Sequence, residues 1–279
     1  MAALEQVAPG LRRLLAPNPS PFTFNGTQTY VVGEGDVAVI DPGPDEPSHV
    51  GALVDALAGE RVTAILVTHT HRDHSPAARP LAGATGAPII GCAPLVPPVE
   101  AGAPDAEFDR DYGPDEVLPD GGNVAGRGWT LTAVATPGHA SNHLCFAWPE
   151  VAALFSGDHV MGWSTSIVSP PDGDMGDYLA SLQRLLLRDD RIYYPTHGPE
   201  ILAPHEHVRR LIAHRRAREA GILAELAAGP RTAGSLVLKL YADVPPLLHP
   251  AAERSVLAHL LELKRCGRTR ADGDQWSLL

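Results

Sequence analysis

Three histidines and an aspartate crowd into the seven residues Thr68-His69-Thr70-His71-Arg72-Asp73-His74, directly after the apolar run Ala64-Ile65-Leu66-Val67. A short apolar run of this kind predicts a buried strand, and the polar cluster then falls on the loop that leaves it. Along extended chain, side chains two apart point the same way, so His69 and His71 can address one cation. Asp73 and His74 follow where the chain turns and can address a second. The pattern His-x-His-x-Asp-His therefore demands a fold that holds a strand end rigidly and brings further ligands to it from elsewhere in the chain.

Four further elements supply such ligands: Val39-Ile40-Asp41-Pro42-Gly43, Thr136-Pro137-Gly138-His139, Ser156-Gly157-Asp158 and Pro195-Thr196-His197-Gly198. Together the five resemble, in the same order and across roughly residues 20–205, the signature of the metallo-β-lactamase-fold hydrolases, a superfamily of mostly dinuclear zinc enzymes. The resemblance implies an α/β fold, an αββα sandwich. It implies that His69, His71 and His139 bind one ion, that Asp73, His74 and His197 bind the other, and that Asp158 bridges them. The implied cofactor is two Zn2+, with Mn2+ or Fe2+ open to the same nitrogen and oxygen donors. A water shared by two cations is acidified to hydroxide near neutral pH and needs no serine or cysteine nucleophile beside it.

Three residues are expected to take part in the chemistry. Asp73 does so as a ligand, and Asp41 by orienting an imidazole or the attacking water. His143, four residues after His139, either contacts substrate, donates a proton to the leaving group, or is structural. Ser164, Thr165 and Ser166 follow Asp158 closely enough to offer hydroxyls to a pocket. His49, His205, His207, His214, His249 and His259 lie outside the matched elements and are read as ordinary histidines.

The 279 residues, 44% of them hydrophobic, suffice for a sizeable core and one or two domains. No early stretch reads as a secretory signal and no window is apolar enough to span a bilayer, so a soluble cytoplasmic protein with no membrane partner is expected. Cys92, Cys145 and Cys266 are odd in number and far apart, which argues against a disulfide framework. Arginine in place of lysine, with much Ala, Gly and Pro, suggests a bacterial genome of high GC content. Of the net charge of −11, residues 209–279 hold twelve Lys/Arg against seven Asp/Glu, and residues 1–208 hold ten against twenty-six. The tail is thus +5 and the remainder −16. The basic tail reads either as a footprint for a polyanion or as a solvated helical face.

The pattern divides the chain at 205/206. Within 1–205, short β-branched runs predict strands over 28–32 and 37–40 around a turn at 33–36, and over 64–67, 87–91, 129–135, 144–148, 151–155 and 192–194. Helical periodicity covers 50–58 and 177–187, and Ser75-Pro76 reads as a further helix start. Residues 94–128, rich in Pro, Gly and Asp, read as a loop or irregular insert that caps the site or forms a subunit contact. Within 206–279, helices are predicted over 206–228, 232–241 and 250–265, followed by a hairpin turning at Asp272-Gly273. Three helices and a hairpin make a small winged-helix-like domain.

A metallo-β-lactamase domain with such a tail resembles the lactamase-like protein two family, whose vertebrate members are described as endoribonucleases. The expected function is therefore metal-dependent hydrolysis of a phosphodiester, with single-stranded RNA as partner. The alternatives are hydrolysis of a small ester, thioester (glyoxalase II-like) or lactone in the same site, and a nucleic-acid-binding regulator whose metal site is vestigial. The tail serves RNA contact on the first reading, and packing or homodimer formation otherwise. Antibiotic hydrolysis is disfavoured, because lactamases of this superfamily usually carry Cys or Ser where Asp158 stands here.

Overall fold

The computed structural model describes residues 4–95 and 108–279, which gather into two compact units. The first takes the described residues up to Thr136, then Asn142–Ser164 and Arg188–Pro204; the second takes Pro137–Ser141, Thr165–Leu187 and His205–Leu279.

In the first unit, β1 (Glu5–Ala8), β2 (Leu11–Leu15), β3 (Gln28–Glu34), β4 (Asp36–Ile40), β5 (Arg61–Val67), β6 (Ile89–Gly91) and β7 (Glu116–Val117) lie in sequence order across one sheet. Neighbours are antiparallel from β1 to β4 and parallel from β4 to β7. A second sheet has the order β12-β11-β10-β9-β8, built from β8 (Asn123–Gly126), β9 (Trp129–Ala135), β10 (Leu144–Trp148), β11 (Ala153–Gly157) and β12 (Ile192–Pro195). Only its β11–β12 pair is parallel.

The sheets share one apolar core, to which the first gives Tyr30, Ile40 and Ile65 and the second Leu131, Phe146, Phe155 and Tyr194. The Tyr30 and Phe155 rings meet at 5.2 Å. Two sheets buried against each other in this way form a sandwich. Helices α1 (Pro47–Ala56) and α2 (Ala78–Thr85) add Leu53 and Leu81 to the same core.

Trp129 sets the closeness of the two sheets at one end. It is 2% exposed, and its Nε1–H donates to the Asp36 carbonyl at 2.9 Å. A side chain at Gly33 or Gly126 would run into the indole, so both positions require glycine.

Several elements differ from the sequence expectation. The hairpin turn is tighter than 33–36, since Glu34 already pairs with Asp36 around Gly35 at φ +75°. Helix α2 starts at Ala78 rather than at Ser75-Pro76, because the first turn is closed three residues back, by the Ala78 amide on the Ser75 carbonyl at 2.9 Å. The 94–128 stretch is not uniformly irregular: its described part contains β7 and β8, while 96–107 lie outside the described residues. Strands β1 and β2 escape the pattern because Arg12 and Arg13 interrupt the apolar alternation; both are paired, with Glu60 and with Glu5 and Glu200.

The second unit contains α3 (Met175–Leu185), α4 (Pro204–Ala227), α5 (Ala233–Leu240), α6 (His249–Arg265) and the hairpin β13 (Thr269–Asp272) and β14 (Gln275–Leu278). Thr232 caps α5: its hydroxyl accepts from Ser235 N at 3.1 Å, and Ser235 Oγ accepts in turn from Thr232 N. The hairpin turns at Gly273, φ +60°. Arg231 exchanges both backbone hydrogen bonds with Trp276, at 2.9 and 2.8 Å, and so takes the place of a third strand. Ile222, Leu226, Leu236, Val256, Leu260 and Trp276 close a separate core. This is the winged-helix arrangement expected for the tail. Cys92, Cys145 and Cys266 are all free thiols, and among the described residues no helix is long and apolar enough to cross a membrane.

Truncating Trp129→Ala opens a void between the sheets and strips the Asp36 carbonyl of its donor. We expect a loss of about 3–5 kcal/mol in urea unfolding. An unchanged midpoint would show that the sheets are not held together there.

Candidate metal centre

Each of the motif residues that the sequence singles out follows a strand end. Asp41 follows β4, His69 to His74 follow β5, Asp158 follows β11 and His197 lies two residues after β12. Strand ends are pinned by their ladders, so their side chains are aimed with little freedom.

The buried carboxylate of Asp41 accepts four hydrogen bonds. Its donors are the Thr68 amide at 2.8 Å, the Thr68 hydroxyl at 2.8 Å, His74 Nδ1 at 2.9 Å and the Thr196 hydroxyl at 3.1 Å. A carboxylate can only accept, so His74 carries a proton on Nδ1 and turns Nε2 toward Asp73 and Asp158. The Thr68 hydroxyl has one proton, which it spends on Asp41. It must then accept from His69 Nδ1, 2.9 Å away, which puts the His69 proton on Nδ1 as well. His197 is set likewise, its Nδ1–H donating to the Gly26 carbonyl at 3.1 Å. His71 is turned the other way, with Nδ1 lying 2.9 Å from His69 Nε2.

These nitrogens converge on two carboxylates. His74 Nε2 lies 3.4 Å from Asp73 Oδ2 and 3.5 Å from Asp158 Oδ2, and His197 Nε2 lies 3.0 Å from Asp73 Oδ2 and 3.3 Å from Asp158 Oδ1. Ligands ~2.0–2.2 Å from a tetrahedral ion stand ~3.3–3.6 Å from one another, so this spacing suits donors sharing a cation. In the first unit the ligand atoms of two triads lie within 4.8 Å of one another: His69, His74 and Asp158, and Asp73, His74 and His197. His74 is common to both. The donor set is nitrogen and oxygen throughout, with no thiolate, and fits borderline-hard divalent ions.

The electrostatics agree. Burial alone would depress His74 and His197, but the carboxylates of Asp73 and Asp158 outweigh it, joined at His74 by Asp41. His74 is held well above its ordinary value, and His197 is pushed up to about 10. Burial would raise Asp73 and Asp158, but the two imidazoles hold both carboxyls well below their usual range. The acids stay ionised, while the imidazoles bind protons where a metal would bind.

His139 belongs to the second unit. Its Nδ1–H donates to the Ile167 carbonyl at 2.6 Å, the same device that fixes the Nδ1 proton in His69, His74 and His197. Gly138 before it, at φ +135°, lies against the backbone of Tyr178 in α3, where no side chain fits. Arg215 of α4 donates to the neighbouring Ser166 carbonyl, and Ser166 is itself buried.

His143 is buried, with both ring nitrogens held by the protein. Nδ1 meets the Thr136 hydroxyl at 2.9 Å, and Nε2 accepts from the Asp158 amide at 3.2 Å. Its geometry is that of a brace under Asp158, not of a group poised to protonate a leaving group. Several residues that bear on the site are given no role by the sequence. Thr68 and Thr196 are Asp41 donors, His159 is fully buried next to Asp158, and Phe108 places its ring 4.8 Å from that of His71.

Comparison with known proteins agrees with this geometry. Residues 22–197 match the model of the metallo-beta-lactamase superfamily, and residues 232–276 match the beta-lactamase associated winged helix domain. The chain belongs to the metallo-beta-lactamase superfamily. Within the superfamily it falls in the lactamase-like protein two family: the beta-lactamase-like protein 2 homolog of Caenorhabditis elegans is 31% identical over 95% of this chain and 87% of its own. An atrochrysone carboxyl ACP thioesterase of Claviceps purpurea is 32% identical over 80% of this chain and 67% of its own. A metallo-beta-lactamase family protein from Thermus thermophilus superposes with a TM-score of 0.81 at 26% identity, covering 98% of this chain and 100% of its own. The protein is thus a hydrolase of this superfamily with the family's winged-helix tail.

Two outcomes are expected. Asp41→Asn replaces an acceptor with an amide that cannot serve all four donors, and metal affinity should fall about 10–100-fold in chelator competition. Affinity equal to wild type would remove Asp41 from any orienting role. Metal loading must also displace protons from His74 and His197. Proton release on titrating metal-free protein with Zn2+ should therefore accompany binding at pH 7, and apparent affinity should rise with pH. The sign for the metal-free fold is opposite. A raised histidine stabilises fully below its ordinary 6.5 and loses that contribution as pH climbs through about 10, so the metal-free melting temperature should fall over that window. Flat profiles in both measurements would contradict the pairing.

Proposed function

We propose that this protein is a dinuclear metal-dependent phosphodiesterase that cuts single-stranded RNA internally. The observation that carries the hydrolytic part is the Asp158 carboxylate, set between His74 and His197 with every imidazole partner fixed in one tautomer. The allocation is the one the family resemblance implies: His69, His71 and His139 would hold one ion, Asp73, His74 and His197 the other, and Asp158 would serve both. Zinc is the metal proposed, with manganese or iron able to use the same donors. When bound, the cations would acidify a water and take up charge developing on a substrate oxygen.

The chain's own residues do the remaining work. Asp41 and Thr68 keep the protons of His74 and His69 on Nδ1, so that neither ring has to reorganise. The Gly26 carbonyl does the same for His197. His143 fixes the Asp158 backbone, and through it the direction of the shared carboxylate. The choice of RNA rests on the attached winged-helix unit, on the basic tail, and on family members of the same two-part build. A thioester substrate is the second reading, favoured by the name of the Claviceps relative.

The deciding experiment is cleavage of end-labelled single-stranded RNA by metal-loaded protein beside Asp158→Ala and the double variant Asp73→Ala/His74→Ala. Internal cuts by wild type, and loss of cleavage and of bound metal in the variants, are expected. An Asp158→Ala protein with full metal and full activity would sink the assignment of that residue. No RNA cleavage by fully loaded wild type, with turnover of an acyl thioester, would transfer the function to the second reading.

A further inference from the structure

Two exposed aromatic side chains of the first unit lie against each other. The rings of Phe24 and Trp163 are stacked, with centroids 5.0 Å apart and planes at 23°. Phe24 is 40% and Trp163 36% exposed, and Phe22, close by in the chain, is 51% exposed. Each ring hangs from a stretch tied to His197. The Gly26 carbonyl accepts from His197 Nδ1 at 3.1 Å, and the Gly162 amide donates to the His197 carbonyl at 3.0 Å. The pair therefore stands within two residues, on either strand of chain, of groups that touch a residue of the metal centre.

Phe24 is also strained. Its φ is +58°, in the left-handed region that a bulky side chain avoids and that Gly or Asn enters at little cost. Core burial does not explain the choice, because the residue keeps 40% of its surface exposed. A strained residue that packing does not demand is most often kept by a binding or catalytic need.

We propose that Phe24 and Trp163 form a platform on which a base of the substrate strand stacks beside the metal centre. The proposal rests on the RNA reading above and adds a substrate contact to it. A planar ring gains from a flat, open aromatic face while its polar edges stay in water. An acyl chain gains instead from enclosure on most sides. Charge points the same way. The first unit carries nine Lys/Arg against twenty-two Asp/Glu, so it has little electrostatic hold on a polyanion. Stacking supplies affinity that charge does not, and it accepts any base.

The test compares metal-loaded wild type, Phe24→Asn and Trp163→Ala on a single-stranded oligoribonucleotide and on the same strand with abasic sites. Wild type should show a KM lower on the base-bearing strand by roughly 5- to 150-fold, the factor that stacking of one base represents. Both variants should lose that preference, the loss falling on KM, with metal content as in wild type. Phe24→Asn should melt no lower than wild type, since it relieves the backbone. A second readout needs no turnover: a 2′-O-methyl strand should quench tryptophan emission of the wild type and not of Trp163→Phe. Variants that cleave RNA and keep the full preference for bases would overturn the platform while leaving RNA hydrolysis standing. A wild type that neither binds nor cuts either strand, but loses thioester turnover on Phe24→Asn, would overturn the RNA assignment and make the pair an acyl contact.

Discussion

The Asp41 carboxylate is the contact on which the rest of the site depends. A buried charge is tolerated only when its lone pairs are filled, and here the donors come from two strand ends. Asp41 itself follows β4, Thr68 and His74 follow β5 in the same sheet, and Thr196 follows β12 in the other. One acceptor thus joins the two sheets at the edge where the ligands emerge. The consequence is chemical as well as structural. Because a carboxylate cannot donate, the direction of every hydrogen bond in the chain Asp41–Thr68–His69 is fixed, and the imidazole tautomers follow without further help. Asp41 holds a left-handed φ of +48° to reach this position, a conformation that aspartate adopts more readily than most residues.

Much of this was legible in the sequence, because the ligands arrive in dense or punctuated elements. His69 to His74 form a cluster too rich to overlook, and His139, Asp158 and His197 each sit beside a glycine after a β-branched or aromatic run. Those glycines have physical reasons. Gly138 faces the Tyr178 backbone, and Gly157 leaves room for the His143 ring. What stayed hidden works through single, common side chains. Thr68 and Thr196 are ordinary threonines until the strands bring them to Asp41. His49, read as an ordinary histidine, is buried and bonds the Pro42 carbonyl at 3.0 Å and the Thr29 hydroxyl at 3.1 Å, holding the turn directly after Asp41. No spacing rule marks such residues, since their partners lie far off in the chain.

The division of the chain was harder to read than its elements. Periodicity places a boundary where α4 begins, and the winged-helix helices and hairpin fall close to the expected ranges. Yet residues 137–141 and 165–187 gather with the tail. The reason lies in side chains that pattern reading treats as surface. Arg215 and Arg254 on the tail helices are spent on backbone carbonyls of Ser166 and Pro170, and the Ser181 hydroxyl on that of Pro137 at 2.8 Å. Arg215 is 2% exposed and also lies over the Tyr178 ring at 5.3 Å. An arginine on an amphipathic helix is normally assigned to solvent. Here it is consumed internally, so part of the tail's positive charge is structural.

That accounting bears on how the protein could hold its substrate. Counting every basic residue of 209–279 overstates the charge available to a polyanion, because Arg215 is buried and Arg231, Lys239, Arg265 and Arg268 face glutamates. Exposed pairs of this kind are worth little to the fold, but they do mute the outward field. Divalent cations in the first unit would offset some of its acidity, and at the one place where, on the proposed RNA reading, phosphate would approach. Attraction for an anionic strand would then be local to the metals rather than spread over a basic surface. Under that constraint a short, weakly salt-dependent footprint, with contacts to bases close to the scissile bond, is what the charge distribution permits.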